Sequence, residues 1–206
     1  MAWDTARTRA ALLEAAVDEF AEYGFDGARV DRIGSRAGVN KERIYQYFGN
    51  KRQLFAHVLE HELERITTAV PLTEELAADL GAYAGRLYDF HRTHPQFIRL
   101  LYWEGLRDTG TAEPALNEPE RSALYASRVR VLDRARESGL LDPELDPKAL
   151  LSGVLALVAW WFTVPQAARM IHGAGRTPHD ERETLIALVR RLTGQAASSG
   201  RSDPGA

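Results

Sequence analysis

The spacing of apolar residues predicts helices along almost the whole chain, and signals for β-strands are nearly absent. In the first predicted helix, Leu13, Val17 and Phe20 recur at helical spacing and therefore share one face. The predicted helices cover residues 4–23, 30–37, 41–48, 51–69, 73–93, 95–105, 120–138, 147–172 and 178–193. This pattern indicates an all-α fold of about nine helices.

Boundary signals fix where several of these helices begin. Asn40 and Asn50 precede the third and fourth helices, where an Asn side chain can accept a hydrogen bond from the first turn. Asp146-Pro147 and Thr177-Pro178 each join a capping residue to a proline that the first helical turn tolerates. Pro165 lies inside the eighth predicted helix and should kink it, because proline removes one backbone donor.

A tight turn that contains Gly38 joins the two short helices of residues 30–48, which is the layout of a helix-turn-helix. On the second of them, Ile44 and Phe48 are four residues apart and share the core face. Gln46 then points away from the core, because each residue turns the helix by about 100°. The pattern predicts that this face meets DNA.

Residue types and charge agree with DNA binding. A Gln such as Gln46 can pair with adenine and an Arg such as Arg43 with guanine, and the flanking hydroxyls of Tyr45 and Tyr47 suit phosphate oxygens. Residues 28–52 contain seven basic and two acidic side chains, a local charge of +5 in a chain whose formal net charge is -3. A basic patch on a mildly acidic protein is typical of a site for nucleic acid.

Two stretches of this region carry a family resemblance over about residues 7–57, namely EFAEYGFDGARV and DRIGSRAGVNKERIYQYFGNKRQLF. They resemble the tetracycline-repressor (TetR-like) transcription regulators. The resemblance implies an N-terminal three-helix helix-turn-helix DNA-binding domain and a C-terminal helical domain for ligand binding and dimerisation.

The resemblance also assigns DNA contacts residue by residue. Those implied to contact phosphates are Lys41, Tyr45, Tyr47 and Lys51. Arg43 and Gln46 are implied to make base or mixed contacts, and we add Arg29 to the expected DNA contacts. The chain departs from the family pattern at Arg29, where a Thr or Ser cap is usual, at Asn40, which replaces a common Ser, and at Glu42, where a small residue is usual.

On this interpretation residues 1–50 form the DNA-binding domain and residues 51–194 the ligand-binding and dimerisation domain. Residues 51–69 are the connecting helix, which can act as a lever between the two domains. The stretch 107–119 is rich in Gly, Pro, Thr and Asn and predicts a loop, and residues 195–206 predict a disordered tail.

Aromatic residues gather in the middle and late helices, and an aromatic pocket between helices is a common small-molecule site. The candidate ligand-binding residues are Phe97, Tyr102, Trp103, Tyr125, Trp160 and Trp161. Aromatics at helical spacing also pack protein cores, so a filled core without an inducer is the alternative. If a ligand binds here, we expect it to be largely apolar or aromatic.

The last two predicted helices are the candidate dimer interface. The last helix carries an i, i+3, i+4, i+7 apolar stripe, and the helix before it is apolar on nearly every face. The candidate interface residues are Val154, Val158, Leu185, Leu188, Val189 and Leu192. A two-fold dimer would make the operator a palindrome.

Other functions are less well supported by the residues. His57, Glu60 and His61 match an H-x-x-E-H metalloprotease pattern, but nothing marks a further ligand, and an exposed face of the fourth helix is the favoured explanation. The chain has no cysteine and no catalytic or nucleotide-binding motif, so we expect no enzyme, no cofactor and no metal.

The expected cellular location rests on the lack of a secretion signal and of a membrane helix in the sequence. No secretion signal opens the sequence, and the apolar run 149–164 falls short of the roughly 20 residues of a membrane helix, so we expect no membrane association and a cytoplasmic location. The combined expectation is a repressor that leaves double-stranded operator DNA when a small-molecule effector binds.

Overall fold

The computed structural model describes residues 2–107, 115, 117–173 and 175–195. Within these residues there are eleven helices and no strand. In chain order the helices are α1 (Ala2–Gly27), α2 (Val30–Ala37), α3 (Lys41–Phe48), α4 (Lys51–Ala69), α5 (Glu74–Ala77), α6 (Leu80–Thr93), α7 (Gln96–Arg107), α8 (Glu118–Glu137), α9 (Pro147–Thr163), α10 (Pro165–His172) and α11 (Pro178–Leu192). The all-α prediction is confirmed.

The helix count exceeds nine because two predicted helices are each divided. The segment 73–93 is α5 and α6, since the Asp79 side chain accepts a hydrogen bond from the Ala82 N–H and so begins a new helix. The segment 147–172 is α9 and α10, which are bent by 89° at their junction rather than kinked. The backbone of Val164 leaves the helical region there (φ -130°, ψ 53°), and Pro165 starts the next helix.

The predicted caps are confirmed. The Asn40 side chain accepts from the Arg43 N–H at 3.2 Å, and the Asn50 side chain accepts from the Gln53 N–H at 3.0 Å. The side chains of Asp146 and Thr177 cap α9 and α11 in the same way. Most of the predicted loop 107–119 and nearly all of the predicted tail 195–206 lie outside the described residues.

The chain divides into two compact units. The first contains Met1–Thr68 and His94–Leu124, and the second contains Ala69–Thr93 and Tyr125–Ala206. The functional boundary expected after residue 50 stays a prediction.

In the first unit α1 packs against α2 and α7. Phe20 is fully buried, and its ring meets that of Phe55 edge-on at 5.0 Å between centroids. Ile33 and Ile44 complete this core from the two short helices. The core therefore fixes α2 and α3 against the first helix.

In the second unit α6 packs against α9 and α11. Ion pairs flank this packing, because Arg190 donates to Asp79 at 2.6 and 2.9 Å and Arg182 donates to Asp89 at 2.9 Å. The pKa of Asp79 lies below its ordinary value, chiefly because Arg190 donates these hydrogen bonds to the carboxylate.

No single helix among the described residues is long and apolar enough to cross a membrane. Within the part of the chain that the structure describes, α9 and α10 taken together are the one pair that reaches the length and composition of a span, and they do so across their bend of 89°.

Candidate nucleic-acid interface and effector cavity

The turn between α2 and α3 depends on two glycines. Gly38 adopts the left-handed conformation (φ 67°, ψ 30°), which glycine enters without a steric cost. The Val39 N–H donates to the Gly34 carbonyl oxygen at 2.9 Å, which draws the chain back over α2. A Cβ on Gly34 would lie 2.7 Å from the Val39 carbonyl oxygen, so only glycine fits at that position.

Helix α3 has one core face and one exposed face. Ile44 and Phe48 are buried, whereas Arg43, Tyr45 and Gln46 are exposed. The predicted orientation of the helix is confirmed in this respect. The Tyr47 side chain is half-buried and its ring meets that of Phe48 at 6.2 Å.

Two of the basic candidates already have partners. The Lys41 ammonium lies 3.1 Å from the Asp31 carboxylate, and this hydrogen-bonded neighbour raises the pKa of Lys41. The Lys51 Nζ lies 4.9 Å from the centroid of the Phe25 ring, and partial burial lowers the pKa of Lys51. The side chain of Arg29 is exposed.

Glu19 of α1 supplies the cap that the Arg29 side chain does not make for α2. Its buried carboxylate accepts from the Arg29 backbone N–H at 2.8 Å and from the Arg32 Nε at 2.7 Å. The family resemblance did not identify a cap for the start of α2, because Arg29 replaces the usual Thr or Ser. Glu19, a charged residue next to Phe20 on the buried face of α1, was the only indication in the sequence. That it accepts from the Arg29 N–H is seen only in the folded chain.

The H-x-x-E-H residues do not converge. His57 Nδ1 lies 3.5 Å from the Glu60 carboxylate, while His61 Nε2 lies 3.3 Å from the carboxylate of Glu14 on α1. No group of three or more His, Asp or Glu side chains able to hold a metal ion occurs within the part of the chain that the structure describes.

The candidate ligand-binding aromatics are divided between the two units. Phe97, Tyr102 and Trp103 belong to the first unit, where Phe97 is buried and Tyr102 is exposed. The Trp103 indole lies over Gly24, and its Nε1 donates to the Ala21 carbonyl oxygen at 3.3 Å. Trp103 therefore packs on the end of α1.

The remaining candidates lie in the second unit, where Trp161 lines a cavity of about 380 Å³. Trp160 meets the Trp161 ring edge-on at 5.4 Å, and Tyr125 is half-buried away from the cavity lining. Two aromatics outside the candidate set, Tyr88 and Phe162, also line the cavity, with their rings 5.1 Å apart. Helices α6, α9, α10 and α11 supply the walls.

The cavity also has polar walls. The Tyr88 hydroxyl donates to the Glu181 carboxylate at 2.6 Å, and burial together with this carboxylate raises the pKa of Tyr88. Its remaining charged or titratable lining side chains are Arg92, Arg169, His172 and Arg176.

The candidate dimer residues differ in exposure. Val154, Val158, Leu185 and Val189 are buried within the second unit. Leu188 and Leu192 are 42% and 60% exposed and lie on α11. Beside them a groove of about 230 Å³ is lined largely by apolar residues of α9 and α11.

Comparison with known proteins gives a consistent picture. Residues 12–58 match the family model of bacterial regulatory proteins of the tetR family, and residues 79–191 match the tetracyclin repressor-like C-terminal domain. The chain is 38% identical over 190 residues to the HTH-type transcriptional repressor SCO4008 of Streptomyces coelicolor, which covers 92% of this chain and 96% of the relative.

Solved structures agree. A candidate transcriptional regulator of Streptomyces coelicolor, SCO4942, is 33% identical, covers 91% of this chain and 99% of its own length, and superimposes with a TM-score of 0.77. The regulator FadR of Bacillus subtilis, solved with stearoyl-CoA, covers 87% of this chain and 96% of its own with a TM-score of 0.63. At 18% identity that second likeness concerns the fold alone.

Proposed function

Because the chain belongs to the tetR family of bacterial regulatory proteins, we propose that it is a homodimeric repressor that a small molecule releases from a palindromic operator. As a protein that acts on DNA and does not catalyse a reaction, it would work in the cytoplasm. The effector is expected to be small and largely apolar or aromatic.

The exposed face of α3 carries this proposal. Arg43 and Gln46 are free of the core, and both side-chain types form two-point hydrogen bonds with base edges in the major groove. The half-buried Tyr47 and the exposed Tyr45 flank them, where hydroxyls can reach phosphates. The buried Ile44 fixes which way the helix turns.

The exposed apolar residues of α11 support a dimer. Leu188 and Leu192 would be covered by a second copy of the chain, and the groove lined by Gly153 and Leu157 offers room for side chains of the partner. A two-fold axis would present two copies of α3 to successive major grooves, whose centres are about 34–36 Å apart. The operator would then contain two symmetric half-sites.

The cavity beside Trp161 favours an effector over the alternative of a filled core. Its volume of about 380 Å³ falls in the range of roughly 300–1,000 Å³ that is usual for ligand pockets. By linkage, an effector weakens operator binding only by the factor by which it prefers the conformation that does not fit DNA. A coupling of about 1–3 kcal/mol would change operator affinity by roughly 5–150-fold.

Selection of bound DNA from a random pool tests the DNA-reading assignment. Gln46→Ala should cost about 1–3 kcal/mol on the selected site and relax specificity at one position per half-site. Lys51→Ala should instead weaken all DNA sequences alike and reduce the salt slope by about one. The matched control is Gln166→Ala, an exposed glutamine of α10. An unchanged selected motif for Gln46→Ala would show that Gln46 does not read a base.

Release by an effector is tested by a reciprocal titration. A compound that quenches tryptophan fluorescence is titrated into the protein with and without the selected operator. The proposal expects weaker compound binding in the presence of DNA, by the same factor by which the compound weakens DNA binding. Equal compound affinity in both titrations would exclude coupling, however tight the binding.

A further inference from the structure

Arginines dominate the charge of the cavity in the second unit. Arg92 of α6 and Arg169 of α10 are exposed at its edge, and Arg176 lies between α10 and α11. Glu181 is the single carboxylate among the lining residues that the structure describes. The lining therefore carries three permanent positive charges and one negative charge.

Two carboxylates on the helices that form the cavity already have partners. Glu181 accepts the Tyr88 hydroxyl at 2.6 Å, and Asp89, which follows Tyr88, is held by Arg182 at 2.9 Å. Within the described residues, neither Arg92 nor Arg169 forms a salt bridge. Two guanidinium groups thus line the cavity without a salt-bridge partner among the described residues.

Arg176 provides a separate indication. Its Nη2 donates to the Asp180 carbonyl oxygen at 2.8 Å and to the Thr184 hydroxyl. Its Nε is buried and has no hydrogen-bond partner within the described residues. A buried donor without an acceptor is unfavourable, and a bound acceptor would remove that cost.

The cavity lining also contains aromatic side chains. The His172 ring lies against the Trp161 indole at 5.2 Å between centroids and 18° between planes, so this indole already has a flat ring on its face. Phe162 and Tyr88 continue the aromatic wall. A planar ring system would find stacking partners here.

We propose that the effector is an aromatic acid, whose ring system lies on the wall of Trp161 and Phe162 and whose anionic group pairs with Arg92 and Arg169. This inference rests on the proposed function, since it takes this cavity as the effector site. A planar carboxylate matches the fork of guanidinium donors in geometry as well as in charge. A cationic aromatic would meet three arginines and a carboxylate that already accepts a hydrogen bond. A neutral aromatic compound would cover the guanidinium groups of the arginines without supplying a negative charge to pair with them.

The test compares 2-naphthoate with its neutral isostere 2-naphthamide by isothermal titration calorimetry on the full chain. The wild type should bind the acid at least about tenfold more tightly, which corresponds to about 1.4 kcal/mol. In the variant Arg92→Gln/Arg169→Gln the two affinities should agree within about threefold, because both charges are gone. The matched control Arg86→Gln/Arg130→Gln removes two exposed arginines of the same unit outside the cavity and should keep the wild-type preference.

Circular dichroism would show that both double variants are folded, as expected for exposed positions. Equal affinities of the acid and the amide for the wild type, or an undiminished preference in Arg92→Gln/Arg169→Gln, would overturn the inference. Failure of 2-naphthoate to bind at millimolar concentration would overturn it as well.

Gel shifts with the selected operator separate this inference from the proposed function. If the amide binds and releases DNA as well as the acid does, release by an effector stands and the anionic class is wrong. If the acid is preferred but leaves operator affinity unchanged, the anionic site stands and its role in release is wrong.

Discussion

Gly34 offers a test in which two physical effects have opposite signs. It lies inside α2, where replacement of glycine by alanine would normally stabilise the fold by about 0.5–1 kcal/mol, because glycine loses more backbone entropy on folding. A new Cβ, however, would lie 2.7 Å from the Val39 carbonyl oxygen and 3.5 Å from the Ile44 Cδ1. A distance of 2.7 Å is too short for a contact between a carbon atom and an oxygen atom, and the Val39 carbonyl oxygen can move away only if the backbone moves.

The magnitude follows from the shift that the new methyl group requires. Moving the Val39 carbonyl to an ordinary contact distance would displace the turn before α3 by several tenths of an ångström. Enlarging a side chain in a well-packed site costs about 1–3 kcal/mol. After subtraction of the helix-propensity gain, Gly34→Ala should lower the free energy of unfolding by roughly 1–2 kcal/mol.

Urea unfolding followed by circular dichroism measures this change, with Gly105→Ala as the matched control. Gly105 is also helical and lies in the same unit, and a Cβ at this position would have nothing within 4 Å, so its replacement should stabilise the protein. Gly34→Ala should also weaken operator binding, because α3 moves with the turn. If Gly34→Ala stabilises the protein as much as Gly105→Ala does, the close approach of the turn does not constrain α2.

Two further predictions concern the second unit. Leu188→Arg should raise the dimer dissociation constant more than about tenfold without loss of helix content, because Leu188 is 42% exposed in the single chain. Sedimentation of the variant should show a mass near 23.0 kDa instead of twice that value, and an intact dimer would show that Leu188 lies outside the interface. Asp79→Asn should lower stability at neutral pH by up to about 1 kcal/mol, because its pair with Arg190 is partly exposed. Since pairing lowers the pKa of Asp79, this stabilisation is present above the ordinary pKa of an aspartate and is lost as the pH falls through the lowered pKa. Urea unfolding at neutral and strongly acidic pH should therefore give a difference between wild type and variant only at neutral pH.

The parts of the fold that local signals determine could be predicted from the sequence. The cap at Asn40, the left-handed turn at Gly38 and the alternation of Ile44 with Gln46 each involve residues a few positions apart. Contacts between residues so close in the chain depend little on how the segment packs against the rest of the protein. The helix-turn-helix and its exposed face were therefore accessible to sequence reasoning.

The parts that depend on distant contacts could not be predicted. The sequence offered Trp103 and Trp161 alike as candidate ligand-binding aromatics, and it did not indicate that Trp103 packs on Gly24 while Trp161 lines a cavity. The proline at position 165 predicted a kink, but its size of 89° depends on how the two helices pack. The arginines of the cavity lining were missed for the same reason, since Arg92 and Arg169 are 77 residues apart in the chain and only the tertiary fold brings them to one cavity.

The position of Trp103 leads to a prediction about how the effector signal reaches α2. Arg92 lies at the end of α6, and the chain passes directly from there into α7, which packs on α1. Trp103 of α7 covers Gly24 at the end of α1, and Glu19 of α1 accepts hydrogen bonds from the start of α2. Each step is a covalent connection or an observed contact, so a shift of α6 on effector binding could move α2.

Trp103→Ala should therefore uncouple the effector from DNA without changing the effector site. The variant should bind a quenching compound as tightly as the wild type, since Trp103 does not line the cavity. The factor by which the compound weakens operator binding should fall toward one, because the contact of the Trp103 indole with Gly24 near the end of α1 is lost. Tyr102→Ala is the matched control, because Tyr102 is the exposed neighbour on the same helix and should leave the coupling intact. Undiminished coupling in folded Trp103→Ala would show that the signal travels by another route, such as the connecting helix α4.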